Sequence, residues 1–267
     1  MSAKPEDFLR NRVREKLARD EVVASMIVRL VRGVEIAQIA ASAGFDTIYV
    51  DLEHCPLSLD TTGQICMAAL SAGITPFVRV PALTSEYIGR VLDAGSLGII
   101  APHVRSATEA KEVVSMARFA PLGTRSASGN LPQFGFRSFP AKLANPVLDA
   151  ATMVIPMVET LEALEKVEEI VAVDGVDMVL VGTNDLTAEM GIPGQYDDPR
   201  VRAAFQRIIT AARNVGKHVG IGGLASRPDL VAEIVGMGAR FVSTGNDLGF
   251  LHAACTAKAK EVHALKV

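Results

Sequence analysis

The chain reads as a single-domain (β/α)₈ barrel spanning residues 1–267. Three observations predict it: eight short apolar runs alternate with eight helical patterns, the connections are short, and no G-x-G-x-x-G follows the first run. A doubly wound open sheet is the runner-up, but no mid-chain linker divides the sequence into two halves.

Each element has its own signal. Residues 5–20 place Phe8, Leu9, Val13 and Leu17 at helical spacing, which predicts an amphipathic helix ahead of the barrel. The predicted strands are 22–28, 47–53, 76–80, 98–102, 152–159, 177–181, 218–222 and 240–244. The intervening helical patterns at 34–43, 58–72, 85–94 and 199–215 each stop at a glycine: Gly44, Gly73, Gly95 and Gly216. Helices at 106–118, 161–172, 228–236 and 247–265 complete the set, with a short one after Gly182–Asp185. Residues 120–150 break the rhythm with glycines, prolines and Phe134, Phe136 and Phe139; a loop this long predicts a functional segment.

Composition narrows the function classes. A hydrophobic fraction of 49% with 21% charged residues is enough to fill a large core. The net charge of −3, from 27 basic and 30 acidic residues, shows no basic face for nucleic acid or an anionic membrane, so a small molecule is the expected ligand. Three cysteines and no C-x-x-C pair suit a reducing cytoplasm. No stretch has a signal peptide's apolar region or the ~18 apolar residues of a membrane span.

In a barrel the chemistry sits at the strand carboxyl ends. Those ends carry Asp51, Glu53 and His54; Arg79; Glu159; Gly182, Thr183, Asn184 and Asp185; Gly222 and Gly223; and Thr244 to Asp247. Glu159 and Asp185 suit a hard divalent cation, which takes one or two carboxylates and leaves other positions to water and substrate. Equally, both could be acids at helix N-termini. Arg79, set between valines, needs an anion: either a substrate oxyanion or an ion pair with Asp51 or Glu53. His54 is a candidate base, with Asp51 close by to hold its tautomer, or else a hydrogen-bonded loop histidine. No lysine lies where a Schiff base would need it. The glycines at 220–223 and the turn 243–247 offer a phosphate cradle as an alternative use of the mouth.

The motifs VDLEH (50–54), VRVP (78–81), LDAG (92–95), APLGTRS (120–126), PMVET (156–160), VGTNDLTAEMG (181–191) and FVSTGNDLG (241–249) resemble the HpcH/HpaI family of metal-dependent pyruvate aldolases, over about residues 20–260. The resemblance implies a barrel assembled as a hexamer, a trimer of dimers, with the C-terminal helix exchanged between subunits. It implies Mg²⁺, Mn²⁺ or Co²⁺ on Glu159 and Asp185, His54 as acid/base through water with Asp51 as its pair, and Arg79 stabilising an enolate. The pyruvate carboxylate would rest on backbone N–H groups of Thr183, Asn184 and Asp185, next to Gly182. The activity implied is cleavage of a 4-hydroxy-2-oxo acid to pyruvate and an aldehyde. An oxaloacetate-type decarboxylase would use the same enolate, and a non-catalytic phosphate-binding barrel is the remaining alternative. Three features depart from the family pattern: Thr183–Asn184 in the turn, His103 and Arg105 after the fourth strand, and the segment 126–146, expected to lie over the mouth and shape aldehyde choice.

Overall fold

The computed structural model describes residues 3–265. Its strands are β1 (Val23–Val28), β2 (Thr47–Asp51), β3 (Thr75–Arg79), β4 (Gly98–Ala101), β5 (Met153–Val158), β6 (Met178–Gly182), β7 (His218–Gly222) and β8 (Phe241–Asn246). All pair in parallel in sequence order, and β8 returns to β1 to close the barrel. The helices are α1 (Arg12–Ala18), α2 (Glu35–Ser42), α3 (Leu59–Ser71), α4 (Ser85–Asp93), α5 (Ala107–Ala117), α6 (Ala141–Ala151), α7 (Leu161–Glu165), α8 (Val167–Ala172), α9 (Thr183–Glu189), α10 (Pro199–Asn214), α11 (Pro228–Met237) and α12 (Asp247–His263).

Strand residues alternate between two cores, as a period of two requires. Ile27, Tyr49, Phe77, Ile100, Ile155, Met157, Leu180 and Phe241 fill the barrel interior. Val28, Val50, Val78, Ile99, Val154 and Val179 face the helices. Phe77 is wholly buried, so cutting it to alanine costs about 3–5 kcal/mol. Ser58, Ser106 and Thr160 cap α3, α5 and α7, each accepting from the N–H three residues on. Gly44 and Gly73 end α2 and α3 at φ +93° and +76°, a conformation a side chain resists.

Ion pairs and α1 close the N-terminal end. Asn11 donates to Ala151 O at 2.7 Å, and Arg14 donates to Thr152 O at 2.6 Å. Buried Asp46 accepts from Ala24 N–H and Lys16 Nζ, and Asp177 accepts from Val154 N–H and Arg118 Nη2.

Four expectations change. The N-terminal segment is a short 3₁₀ turn, Pro5–Asp7, followed by α1, rather than one helix over 5–20. The predicted helix 161–172 is divided at Lys166 into α7 and α8. The break at 120–150 holds α6, which carries Pro146 internally. That segment does not lie over the mouth. It joins a helix to the strand after it, so it crosses the N-terminal end: Gln133 donates to Leu92 O and Ser96 O, and Phe139 stacks near Phe8. Among the described residues no helix is long and apolar enough to cross a membrane.

Candidate active site

The inward series of each strand runs straight into the mouth. Two residues beyond Tyr49 comes Asp51, two beyond Phe77 comes Arg79, and two beyond Met157 comes Glu159. Asp51 and Arg79 are register partners on adjacent strands. Arg79 Nε donates to Asp51 Oδ1 at 2.9 Å and Nη2 to Oδ2 at 2.6 Å, a bidentate pair between side chains that are 5% and 0% exposed. Burial works to raise the Asp51 carboxyl, but the bonds and charge of Arg79, joined by Arg29, hold it below the usual carboxylate range. Burial also works to lower Arg79, and its bonds to Asp51 reverse this, so its proton is held more firmly than usual. Arg79 Nη1 lies 2.8 Å from Glu53 Oε2 as well, so the ion-pair reading of this arginine holds with both acids.

Asp51 does not hold the imidazole of His54. Its oxygens are taken by Arg79 and Arg29, and from His54 it accepts only the backbone N–H, at 3.3 Å. β2 ends at Asp51, two residues short of the predicted Glu53. The half-exposed His54 ring instead has Nε2 3.8 Å from Glu53 Oε2.

Glu159 is 1% exposed, and its Oε1 accepts the N–H of His103 at 2.6 Å. Burial, helped by the charges of Glu53 and Asp185, pushes its carboxyl above the usual range. Thr160 and not Glu159 caps α7, while Asp185 is an acid in the first turn of α9, as the helix N-terminal reading expects. Gly182 leaves room for Glu159, since a Cβ there would lie 2.5 Å from Oε2. Among the described residues no three His, Cys, Asp or Glu side chains converge as a metal cage. The donor set still fits a hard dication, because Glu159 and Asp185 are near enough for their charges to interact and two carboxylates can supply oxygen ligands with the rest left to water and substrate.

Thr183, Asn184 and Asp185 form the first turn of α9, whose N–H groups have no intrahelical acceptor. Thr183 Oγ1 donates to Gly222 O at 2.7 Å, and Asn184 Oδ1 accepts from the Tyr196 hydroxyl at 2.7 Å, so the unusual Thr-Asn pair ties the turn to β7 and to the loop before α10. These residues, with Arg29, His54, Arg79 and Gly182, line a mouth cavity of about 420 Å³. A larger cavity of about 710 Å³ lies at the N-terminal end, but much of its charge is already paired, as Arg10–Glu15, Arg19–Glu21 and Lys16–Asp46.

Two residues of the mouth were not singled out as site residues from the sequence. His103, at φ +56°, puts Nε2 2.9 Å from Glu53 Oε1 and Nδ1 3.1 Å from Glu159 Oε1. Arg29 donates from Nε to Asp51 Oδ2 at 2.6 Å. Its signal was parity, two residues beyond inward-facing Ile27.

Fold and mouth together define a (β/α)₈-barrel enzyme with its acids and guanidiniums gathered at the strand carboxyl ends. Residues 31–254 match the family described as HpcH/HpaI aldolase/citrate lyase. The chain belongs to this family, and it is a carbon–carbon lyase. It is 37% identical over 222 residues to a 4-hydroxy-4-methyl-2-oxoglutarate aldolase of Chaetomium globosum, covering 82% of each chain. It is 34% identical to a hydroxypyruvate/pyruvate aldolase of Cupriavidus necator, covering 80% of this chain and 78% of that one. The crystal structure of an HpcH/HpaI aldolase from Desulfitobacterium hafniense superposes with a TM-score of 0.90 at 27% identity, covering 96% of this chain and 98% of that one.

Proposed function

We propose that the whole chain works as one catalytic unit, a divalent-metal-dependent aldolase that cleaves 4-hydroxy-2-oxo acids to pyruvate, or a close 2-oxo acid, and an aldehyde. The observation that carries this reading is that Arg79 of β3 and Asp185 of α9 line one mouth cavity, with Glu159, the residue after β5, near enough to Asp185 for that charge to help raise its carboxyl. The relative named for 4-hydroxy-4-methyl-2-oxoglutarate supports the substrate class.

Glu159 and Asp185 would hold Mg²⁺, Mn²⁺ or Co²⁺, which when bound supplies Lewis-acid polarisation of the 2-oxo group. The N–H groups of Thr183, Asn184 and Asp185 receive the substrate carboxylate at the positive end of α9. His54, through a water, takes the proton of the C4 hydroxyl. The C3–C4 bond then breaks, the aldehyde leaves, and the electron pair remains on C3 and the oxo oxygen. Arg79, fixed by Asp51, faces the negative charge that develops there. A proton returned to C3 completes pyruvate.

The helix α12 supports an exchanged arrangement in a hexamer. Residues 248–265 are exposed along their length, and Leu248, Leu251 and Val262 present apolar surface, each about half exposed. Three free thiols suit a reducing, cytoplasmic setting.

Pyruvate release from a racemic 4-hydroxy-2-oxo acid, with and without EDTA, tests the reading. Metal-dependent release is expected, and activity that survives complete metal removal would overturn it. Oxaloacetate turnover without aldol cleavage would turn the reading to a decarboxylase. Light scattering should give a hexamer, and a monomer would refute the exchanged helix.

A further inference from the structure

Arg29 takes no part in the cleavage as described. It is the inward residue two beyond Ile27, and extending the β1–β2 register Val28↔Val50 by one residue sets it beside Asp51. The mouth therefore carries an Arg–Asp–Arg row across β1, β2 and β3. Asp51 takes the Nε of Arg29, while Arg29 Nη1 and Nη2 make no hydrogen bond to the described residues. The guanidinium is thus held in one plane, a third exposed, with two nitrogens presented to the cavity.

The wall facing it is built to be open. The inward positions of β7 and β8 that line the cavity are Gly222, Ser243 and Gly245. Gly222 has no space for a side chain, since a Cβ would meet Val181 O at 2.9 Å. Ser243 Oγ is wholly buried on this wall, beside the Tyr49 hydroxyl. No acid of β7 or β8 lines the cavity, and nearby Asp247 spends its carboxylate on the N–H groups of Arg29, Leu30 and Val31. The free Nη1 and Nη2 of Arg29 thus bound the β1 side of the cavity, three strands round the barrel from β6 and the α9 turn that follows it.

We propose that Arg29 forms a subsite for a second carboxylate, at the end of the substrate remote from its 2-oxo acid group, so that the enzyme selects dicarboxylic 4-hydroxy-2-oxo acids. The inference rests on the aldolase reading, which assigns the 2-oxo acid end to α9. An arginine already fixed by a partner loses little freedom on binding, and its two remaining nitrogens can each donate one N–H to the two oxygens of a carboxylate.

The test compares two probes of equal length, 2-oxoglutarate and 2-oxopentanoate, which differ only in the terminal carboxylate. Calorimetry with the wild-type protein and Mn²⁺ should show 2-oxoglutarate bound about tenfold to a hundredfold more tightly, the effect of one charge-assisted hydrogen-bonded contact. Arg29→Leu should bring that ratio to about one, with Arg29→Lys keeping part of it. If the wild type binds both probes equally, the subsite is refuted and the aldolase reading stands. If Arg29→Leu weakens both alike and leaves the ratio unchanged, Arg29 only supports Asp51 and the subsite is again refuted. If the wild type binds neither, the 2-oxo acid reading itself fails and takes the subsite with it.

Discussion

Replacing Arg79 by leucine should separate what the mouth contributes to stability from what it contributes to chemistry. The substitution strands Asp51, wholly buried, with Arg29 Nε as its one remaining guanidinium partner, and leaves Glu53 Oε2 without its neighbour at 2.8 Å. Breaking a buried pair from one side costs about 3–5 kcal/mol, because the orphaned charge stays in place. For a domain of this size that is a fall in Tm of roughly 6–20 °C. Adding Asp51→Asn removes the stranded charge and should restore a large part of the loss, which thermal and urea melts of the two single variants and the double variant would measure as a coupling energy. Activity should follow a different course. Loss of one donor that faces developing negative charge costs about 10²–10³ in turnover, and Asp51→Asn cannot return it. An Arg79→Leu protein that melts with the wild type, or a double variant that recovers pyruvate release, would refute the reasoning.

Glu159→Gln should abolish the thermal shift given by Mn²⁺ yet stabilise the metal-free protein. Because burial raises the Glu159 carboxyl above its ordinary value of 4.5, its unfavourable charge appears as pH rises through the folded value. The advantage of Gln over Glu in metal-free melts should therefore be largest near neutral pH and vanish in mild acid; an advantage independent of pH would contradict the assignment. Asp51 has the opposite sign: held low, it stabilises at neutral pH, and its contribution is lost only in strong acid, below the ordinary 3.8, so Asp51→Asn should cost most at neutral pH in a pH series of melts. Gly182→Ala places a Cβ where Glu159 Oε2 now lies, 2.5 Å away, and should weaken Mn²⁺ binding in calorimetry while circular dichroism is unchanged; wild-type affinity would show that the cation does not depend on this carboxylate's position.

The barrel was legible because both of its signals are local. Apolar runs such as Met178–Val181 and glycine stops such as Gly44 need no knowledge of distant residues. Helix α6 was hidden by Pro146 and the surrounding glycines, which read as loop although a proline in a helix bounded by packing is tolerated. The same segment was set at the wrong end of the molecule: connectivity from helix to strand puts it at the N-terminal face, whatever its composition. Asp51, Arg79 and Glu159 were found as charges ending apolar strands. Two partners were open for Asp51, His54 by sequence proximity and Arg79 by an ion pair, and the pair is made across a rung with Arg79, 28 residues away. Arg29 was missed because β1 is apolar on both faces, which conceals the parity that would have marked it.

The ion-paired N-terminal end and the charged mouth are kept apart by the length of the barrel strands, about 17–20 Å for five to six residues. This exceeds the ~8–10 Å over which charges feel each other at ordinary ionic strength. Substitutions around Asn11, Asp46, Arg118 and Asp177 should therefore combine additively with changes at Arg29, Arg79 or Glu159. An engineer can raise the durability of this protein from one end and alter its substrate choice from the other, with neither set of mutations having to anticipate the other.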